Sequence, residues 1–323
     1  MIHFADNPQH VLVTGGTGFI GQLLVHALLA DGHQVSVLSR EPKRAAQLFG
    51  NQARCIEHPD ELGQAAAVDL IVNLAGARIV GARWTPARQA LLRRSRVGLT
   101  RDLVTWIASA RHRPKLLLSG SAIGYYGIQA PGDDTELTEA APAQPMFMSD
   151  LCREWEQAAA GAAEHGVQVA CMRFGLVLGH GGALPAMLLP IRLGLGGRLG
   201  SGRQWTSWIH VHDVLRGMAH VWRITLAQQA NDAAAAPGRP DLRAYNFTAP
   251  QAVTQQQFAE TAARVLHRPA LIPAPGWPIR LALGEQADIV LEGQRVVPAA
   301  LLQSGFRFDY PNLQSALEEV CAG

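Results

Sequence analysis

The sequence predicts an α/β fold, a doubly wound parallel sheet covered by helices, joined to a smaller C-terminal region. Three observations predict it. Short apolar runs alternate with helix-period segments through the first half, a glycine cluster follows the first run, and the texture turns Gly-rich after Phe174. Residues 11–14 read as the first strand. Ile20, Leu23, Leu24, Ala27 and Leu28 then recur at helical spacing until Gly32, a natural C-terminal cap. Further strands are expected at 35–39, 53–57, 70–74, 116–119 and 167–174. Thr85-Pro86 supplies an N-cap and a first-turn proline for one long helix, and Ser149 is placed to cap another that runs to Gly166.

Beyond Phe174, glycines crowd between Gly175 and Gly202. The alanine-rich stretch 228–240 carries Gly and Pro and reads as a surface loop. A Pro-rich joint at 269–278 leads to a small unit ending near Val320. The expected organisation is therefore a nucleotide-binding domain over 1–174, to which 205–248 returns. Residues 175–204 and 249–323 form a substrate region that includes a small C-terminal domain, 273–321.

The chain has 323 residues, enough for a substantial core, with 17% charged and 48% hydrophobic residues. A net charge of +2 and the lack of any Lys/Arg stripe argue against nucleic acid as a partner. Cys55, Cys152, Cys171 and Cys321 lie far apart and suggest neither a zinc site nor a disulfide framework. No apolar run reaches membrane-spanning length, so a cytoplasmic protein without a membrane partner is expected, as a monomer or homodimer.

Thr14-Gly15-Gly16-Thr17-Gly18-Phe19-Ile20-Gly21 stands between the first strand and the first helix. Glycines there permit a tight turn and close approach to a pyrophosphate, and the free N–H groups of the helix start favour an anion. This is the signature of a Rossmann-type dinucleotide site. The second strand ends in Ser39-Arg40, where an NAD-binding chain usually carries an acid. A guanidinium grips a 2′-phosphate, and Lys43 and Arg44 add charge, so NADP(H) is the expected cofactor. The competing reading leaves Arg40 on the surface and turns Glu41 to the ribose. Gly15, Thr17, Gly18, Phe19, Ile20, Ser39, Arg40, Leu74, Ala75, Gly76 and Ser119 are the cofactor-binding candidates.

Several ordered segments resemble the extended short-chain dehydrogenase/reductases, in particular the atypical, epimerase-family (nucleoside-diphosphate-sugar-epimerase-like) branch. They are the glycine motif, Asn73-Leu74-Ala75-Gly76-Ala77, Arg83-Trp84-Thr85, Ser95-Arg96-Val97, Ser119–Gly127, Arg173-Phe174-Gly175, Gly200–Trp205 and Trp208–Val214. Leu283-Gly284-Glu285 and Gly293–Val296 look like the small domain of unknown function that closes such proteins. The resemblance implies a Ser after the fifth strand, matched by Ser121, and a Tyr-x-x-x-Lys pair on the next helix. Near that place the chain reads Phe147-Met148-Ser149-Asp150-Leu151, so the usual proton-transfer dyad is missing.

Ser121, Tyr125 and Tyr126 are the catalytic candidates, the two tyrosines either as a replacement acid or merely as pocket wall. Arg83, Trp84 and Arg203 are candidates for a polar or anionic substrate, or else for structural pairs. His210 and His212 with Asp213 are read as fold-stabilising, with no metal expected. The function expected is an NADP(H)-dependent oxidoreductase or epimerase on a small polar, sugar-like or nucleotide-linked substrate. The rival reading is a non-catalytic NADP(H) sensor.

Overall fold

The computed structural model describes residues 1–81, 83–130, 132–235 and 242–322. Its first half runs β1 (His10–Thr14), α1 (Phe19–Ala30), β2 (Gln34–Leu38), α2 (Pro42–Leu48), β3 (Arg54–Ile56), β4 (Leu70–Asn73), α3 (Pro86–Arg93), α4 (Leu99–Ser109), β5 (Leu116–Ala122), α5 (Phe147–Ala160) and β6 (Gln168–Phe174). There follow β7 (Leu176–Leu178), α6 (Leu184–Arg192), β8 (Trp205–Thr206), β9 (Trp208–His210), α7 (Val211–Ala235), β10 (Leu242–Phe247) and β11 (Val253–Thr254). The chain ends with α8 (Gln255–Val265), α9 (Gly276–Leu283), α10 (Ala287–Leu291), α11 (Ala299–Gln303) and α12 (Leu313–Ala322).

Seven strands form one parallel sheet in the order β10-β6-β5-β4-β1-β2-β3. The fold class is thus the doubly wound Rossmann type, and β10 adds residues 242–247 to the outer edge of β6. Strand residues alternate between two cores, which is what a sheet covered on both faces requires. Val11, Val13 and Val72 face α1 and α7 through Leu24, Leu28, Met218 and Trp222. Leu12, Ile71 and Leu117 face α4 and α5 through Leu103, Trp106 and Ala159. The strand order reverses between β1 and β4, and in open α/β sheets ligands bind in the crevice at that switch point. The site is positioned there.

Three local expectations are corrected. The helix expected to start at a Ser149 cap begins two residues earlier at Phe147, and Ser149 lies in its first turn, bonded to the Tyr125 carbonyl and the Gln144 N–H. Its hydroxyl ties the helix to the loop after β5 instead of capping. The expected loop 228–240 is helical as far as Ala235, because alanine is the strongest helix former and extends α7; residues 236–240 lie outside the described residues. Strand β5 runs on to Ala122, so Ser121 sits within the sheet opposite Arg173.

The glycines after β6 have packing partners. A Cβ on Gly179, Gly181 or Gly182 would meet the Phe19 ring at 2.5–3.1 Å, and one on Gly175 would lie 2.6 Å from the Ser207 carbonyl oxygen. The Gly-rich loop is thereby seated on the start of α1.

Burial lowers the pKa of His10, His210 and His220, most strongly through loss of water around the charged ring. A group that binds its proton less well when folded contributes stability above its unfolded value and loses it as pH falls through the folded value. His3, exposed and raised by Asp31 and Asp6, opposes the trend. The melting temperature is therefore expected to decline as pH drops below 6.5, and His210→Gln should flatten that decline in a pH series of thermal melts. A melting temperature constant across that window would contradict the assignment.

Candidate active site

The chain leaves β1 at Thr14 and turns at Gly15 with φ +68°, a left-handed conformation suited to glycine. A Cβ on Gly15 would lie 2.7 Å from the carbonyl carbon and oxygen of Leu74, and one on Gly21 would lie 2.2 Å from the Gly15 carbonyl oxygen. Glycine is what lets the turn press against both the end of β4 and helix α1. The helix opens at Gly18 with no side-chain cap and no acid in its first turn, so the N–H groups of Phe19 and Ile20 keep no side-chain acceptor. Thr14 Oγ1 donates to Asn73 Oδ1 (2.7 Å) and accepts from the Ala75 N–H (3.2 Å), which locks Leu74, Ala75 and Gly76 beside the turn. Uncapped amides under a glycine-rich loop fit a pyrophosphate.

At the end of β2, Ser39 Oγ accepts from the Glu41 N–H (3.2 Å), and the Glu41 carboxylate pairs with Arg44 at 3.3 Å. Arg40 is exposed beside them, with no ion pair to a described residue. Ser119 is fully buried and accepts from Asn73 Nδ2 at 3.4 Å, so its side chain braces β4 against β5 from inside the sheet. Thr17, in contrast, is exposed at the lip of the turn.

Ser121, Tyr125 and Tyr126 are brought together around a buried ion pair that sequence reasoning left without a role. Arg173 holds Glu156 with two parallel hydrogen bonds of 2.8 Å, both side chains less than a tenth exposed. Burial works against the guanidinium charge, but the hydrogen bonds and charge of Glu156 hold its pKa above the usual value. Ser121 Oγ donates to Glu156 Oε1 at 2.7 Å, so its one proton is committed to that carboxylate. The Tyr126 hydroxyl donates to Asn246 Oδ1 (2.7 Å) and accepts from Arg173 Nη1 (2.9 Å), and burial pushes it up to about 12. In that geometry the Tyr126 proton is committed inside the core. Tyr125 differs. It is partly exposed, its ring lies 3.5 Å beneath the Arg173 guanidinium, and its hydroxyl makes no hydrogen bond with a described residue. The signal for the pair was an arginine in an otherwise apolar strand, since a buried guanidinium needs a partner.

Helix α5 turns Met148, Cys152 and Glu156, four residues apart, toward this group. A Cβ on Gly124 would touch Met148 at 3.2 Å and Cys152 Sγ at 4.0 Å, and Glu156 meets Ser121. The stripe facing Ser121 is therefore one residue out of register with the expected Phe147 and Leu151. Phe147 packs its ring edge-on to Trp84 at 5.0 Å, and Leu151 lies in the core beneath. Cys152 is fully buried, which pushes its thiol up to about 12.

The loop after β4 is clamped by three side chains on three successive carbonyls. Arg96 Nη2 donates to Ala77 O (2.9 Å), Arg88 Nη2 to Arg78 O, and Trp84 Nε1 to Ile79 O (3.1 Å). Arg96 sits in a single π-turn, Arg94–Gly98, between α3 and α4. Trp84 packs against Phe147 at the edge of the cluster on which Tyr125 also rests. Arg83 is not available in the same way: its fork donates to Ala282 O (3.0 Å) and Leu281 O, docking this loop on α9. Arg203 lies elsewhere, its guanidinium 3.0 Å from where a Cβ on Gly132 would stand.

His210 Nε2 bonds Glu319 (2.9 Å) with its ring on Tyr310, and His212 pairs with Asp309 at 3.2 Å. Asp213 is buried and accepts from the N–H groups of Asp309 and Tyr310. His212 belongs to the start of α7, just beyond β9. Among the described residues no group of three or more His, Cys, Asp or Glu is placed to hold a metal, and no helix is long and apolar enough to cross a membrane.

The profile of the NAD dependent epimerase/dehydratase family matches residues 11–232, and that of a domain of unknown function (DUF1731) matches 274–320. An epimerase family protein of Staphylococcus saprophyticus is 36% identical over 313 residues, covering 97% of this chain and 99% of its own. The epimerase family protein YfhF of Bacillus subtilis is 35% identical over 321 residues, covering 97% and 98%. Among solved structures, human epimerase family protein SDR39U1 with NADPH superposes with a TM-score of 0.82 at 34% identity, over 98% of this chain and 100% of that one. A UDP-galactose 4-epimerase, at 18% identity and a TM-score of 0.71 over 97% of each chain, shares the fold.

Proposed function

The chain belongs to the NAD dependent epimerase/dehydratase family, and we propose that it is an NADP(H)-dependent oxidoreductase or epimerase acting on a small polar, sugar-like or nucleotide-linked substrate. The observation that carries this reading is the pairing of an uncapped, glycine-lined helix start with Arg40, an exposed cation free of acid partners among the described residues. The amides of Phe19 and Ile20 receive the pyrophosphate, Leu74, Ala75 and Gly76 border the cofactor, and Ser39 and Arg40 take the 2′-phosphate. Glu41, drawn to Arg44, leaves the ribose edge to them. A relative crystallised with NADPH supports this choice of cofactor. When bound, the nicotinamide supplies or accepts the hydride.

Tyr125 is the proton donor in this reading, because the hydroxyls of Ser121 and Tyr126 are both engaged and that of Tyr125 has no partner among the described residues. Arg173 stacks on its ring and fixes its direction. Ser121 and Glu156 act as positioning residues, since they hold Arg173 in place. Trp84 and Phe147 wall the substrate side, and residues 175–204 and 249–323 complete the substrate region around the 1–174 domain.

The test is NADPH and NADH binding by the wild type and Arg40→Ala, with oxidation of NADPH followed in a metabolite extract. A charge-assisted hydrogen bond contributes about 1.5–3 kcal/mol, so Arg40→Ala should weaken NADPH roughly 10–100-fold and leave NADH unchanged. Equal loss for both nucleotides, or none, would remove Arg40 from the site, and tight NADPH binding without turnover in varied extracts would count against catalysis.

A further inference from the structure

The π-turn between α3 and α4 carries a buried positive charge that no described carboxylate neutralises. Arg96 is 9% exposed and forms no ion pair with a described carboxylate; its guanidinium donates only to the Ala77 carbonyl (2.9 Å) and weakly to Ser95 Oγ (3.4 Å). Its flat face stacks toward Trp155 at 5.3 Å. A buried cation without an anion is costly, so such groups are normally paired. The nearest second cation worsens the balance: Arg88 lies close enough to repel it, and Arg88 Nε is itself buried with no hydrogen-bond acceptor.

The backbone at Gly76 lies close against this guanidinium. Gly76 is exposed, and a Cβ there would stand 2.8 Å from Arg96 Cζ, so any other residue would lie over the guanidinium or displace it. Gly76 follows Leu74 and Ala75, which abut the glycine turn of the cofactor site. The charge therefore lies directly behind the 74–76 border of the proposed cofactor crevice. A π-turn is the device that points it there, since one extra residue per turn rotates Arg96 out of the ordinary helix repeat.

We infer that Arg96, assisted by Arg88, binds an oxyanion of the substrate, a carboxylate or a phosphate, at the mouth of the cofactor crevice. This deepens the proposed function and rests on it for the word substrate, but not for the anion site. The fork of Arg96 takes two oxygens of one group, and the Trp155 ring lies against its flat face.

The probes are inorganic phosphate and acetate, titrated by calorimetry at constant ionic strength into wild type saturated with NADPH, which fills the other phosphate-binding positions. Saturable binding of one or both is expected, weakened at least tenfold in Arg96→Gln, with NADPH affinity changed less than about threefold. Binding of phosphate but not acetate, or the reverse, identifies the oxyanion. Arg96→Lys keeps the charge without the fork and should bind more weakly than wild type, which provides the reading if the glutamine variant does not fold. Equal anion binding in wild type and variants, or no saturable binding in wild type, would overturn the inference. Should NADPH fail to bind, the functional reading falls, while acetate titrated into the unliganded protein still reports on Arg96.

Discussion

Arg173→Met is expected to destabilise the protein by about 3–5 kcal/mol, the usual cost of removing one partner from a buried pair. The variant leaves Glu156 inside the core with Ser121 as its remaining side-chain donor, where before it had two bonds of 2.8 Å to a guanidinium. It also strips the Tyr126 hydroxyl of one partner and Tyr125 of the cation above its ring. Since whole domains are stable by only about 5–15 kcal/mol, the urea midpoint should fall steeply. The double variant Arg173→Met/Glu156→Leu removes both charges and should be more stable than the single one, because the unpaired carboxylate is the main penalty. A single-variant loss under about 1 kcal/mol would mean that water reaches Glu156. If the pair positions Tyr125, the double variant should regain stability without regaining turnover.

The sheet was legible because each strand is a short apolar run, and the turn after β1 was legible because glycine spacing encodes a conformation that other residues resist. The position of Arg40, exposed just after β2, was legible too. What escaped was what each side chain touches. Ser121 matched its expected position, yet its proton goes to Glu156, thirty-five positions away in the chain. Tyr125 and Tyr126 are neighbours in sequence with opposite fates, since one hydroxyl is tied into the core by Asn246 and the other is not. No spacing distinguishes them. Arg83 carried the right chemistry for a substrate and spends it on the carbonyls of Ala282 and Leu281. Arg96 stood inside a recognisable segment, but only the fold reveals that no acid among the described residues pairs with it. Likewise the run of glycines from Gly175 announced close approach without saying to what, and part of the answer is the ring of Phe19.

Gly15→Ala is expected to abolish measurable NADPH binding and to lower stability by about 2–6 kcal/mol, combining roughly 1–3 kcal/mol for a left-handed backbone and roughly 1–3 kcal/mol for overpacking. Both terms act at one atom. The φ of +68° disfavours any Cβ, and that Cβ would stand 2.7 Å from backbone atoms of Leu74 and 2.8 Å from the Ala75 nitrogen. Backbone cannot swing aside as a side chain does, so the turn must lift from β4. Lifting it breaks the registry between the amides of Phe19 and Ile20 and the 74–76 border of the crevice, which is why binding should suffer more than folding. Gly50→Ala provides the control, because Gly50 shares a positive φ of +57° but has nothing within 4 Å of its Cβ position. It should pay the backbone term alone and bind NADPH as the wild type does. Calorimetric titration of both variants beside their thermal melts separates the two costs. Undiminished nucleotide affinity in Gly15→Ala would show that the turn does not carry the pyrophosphate.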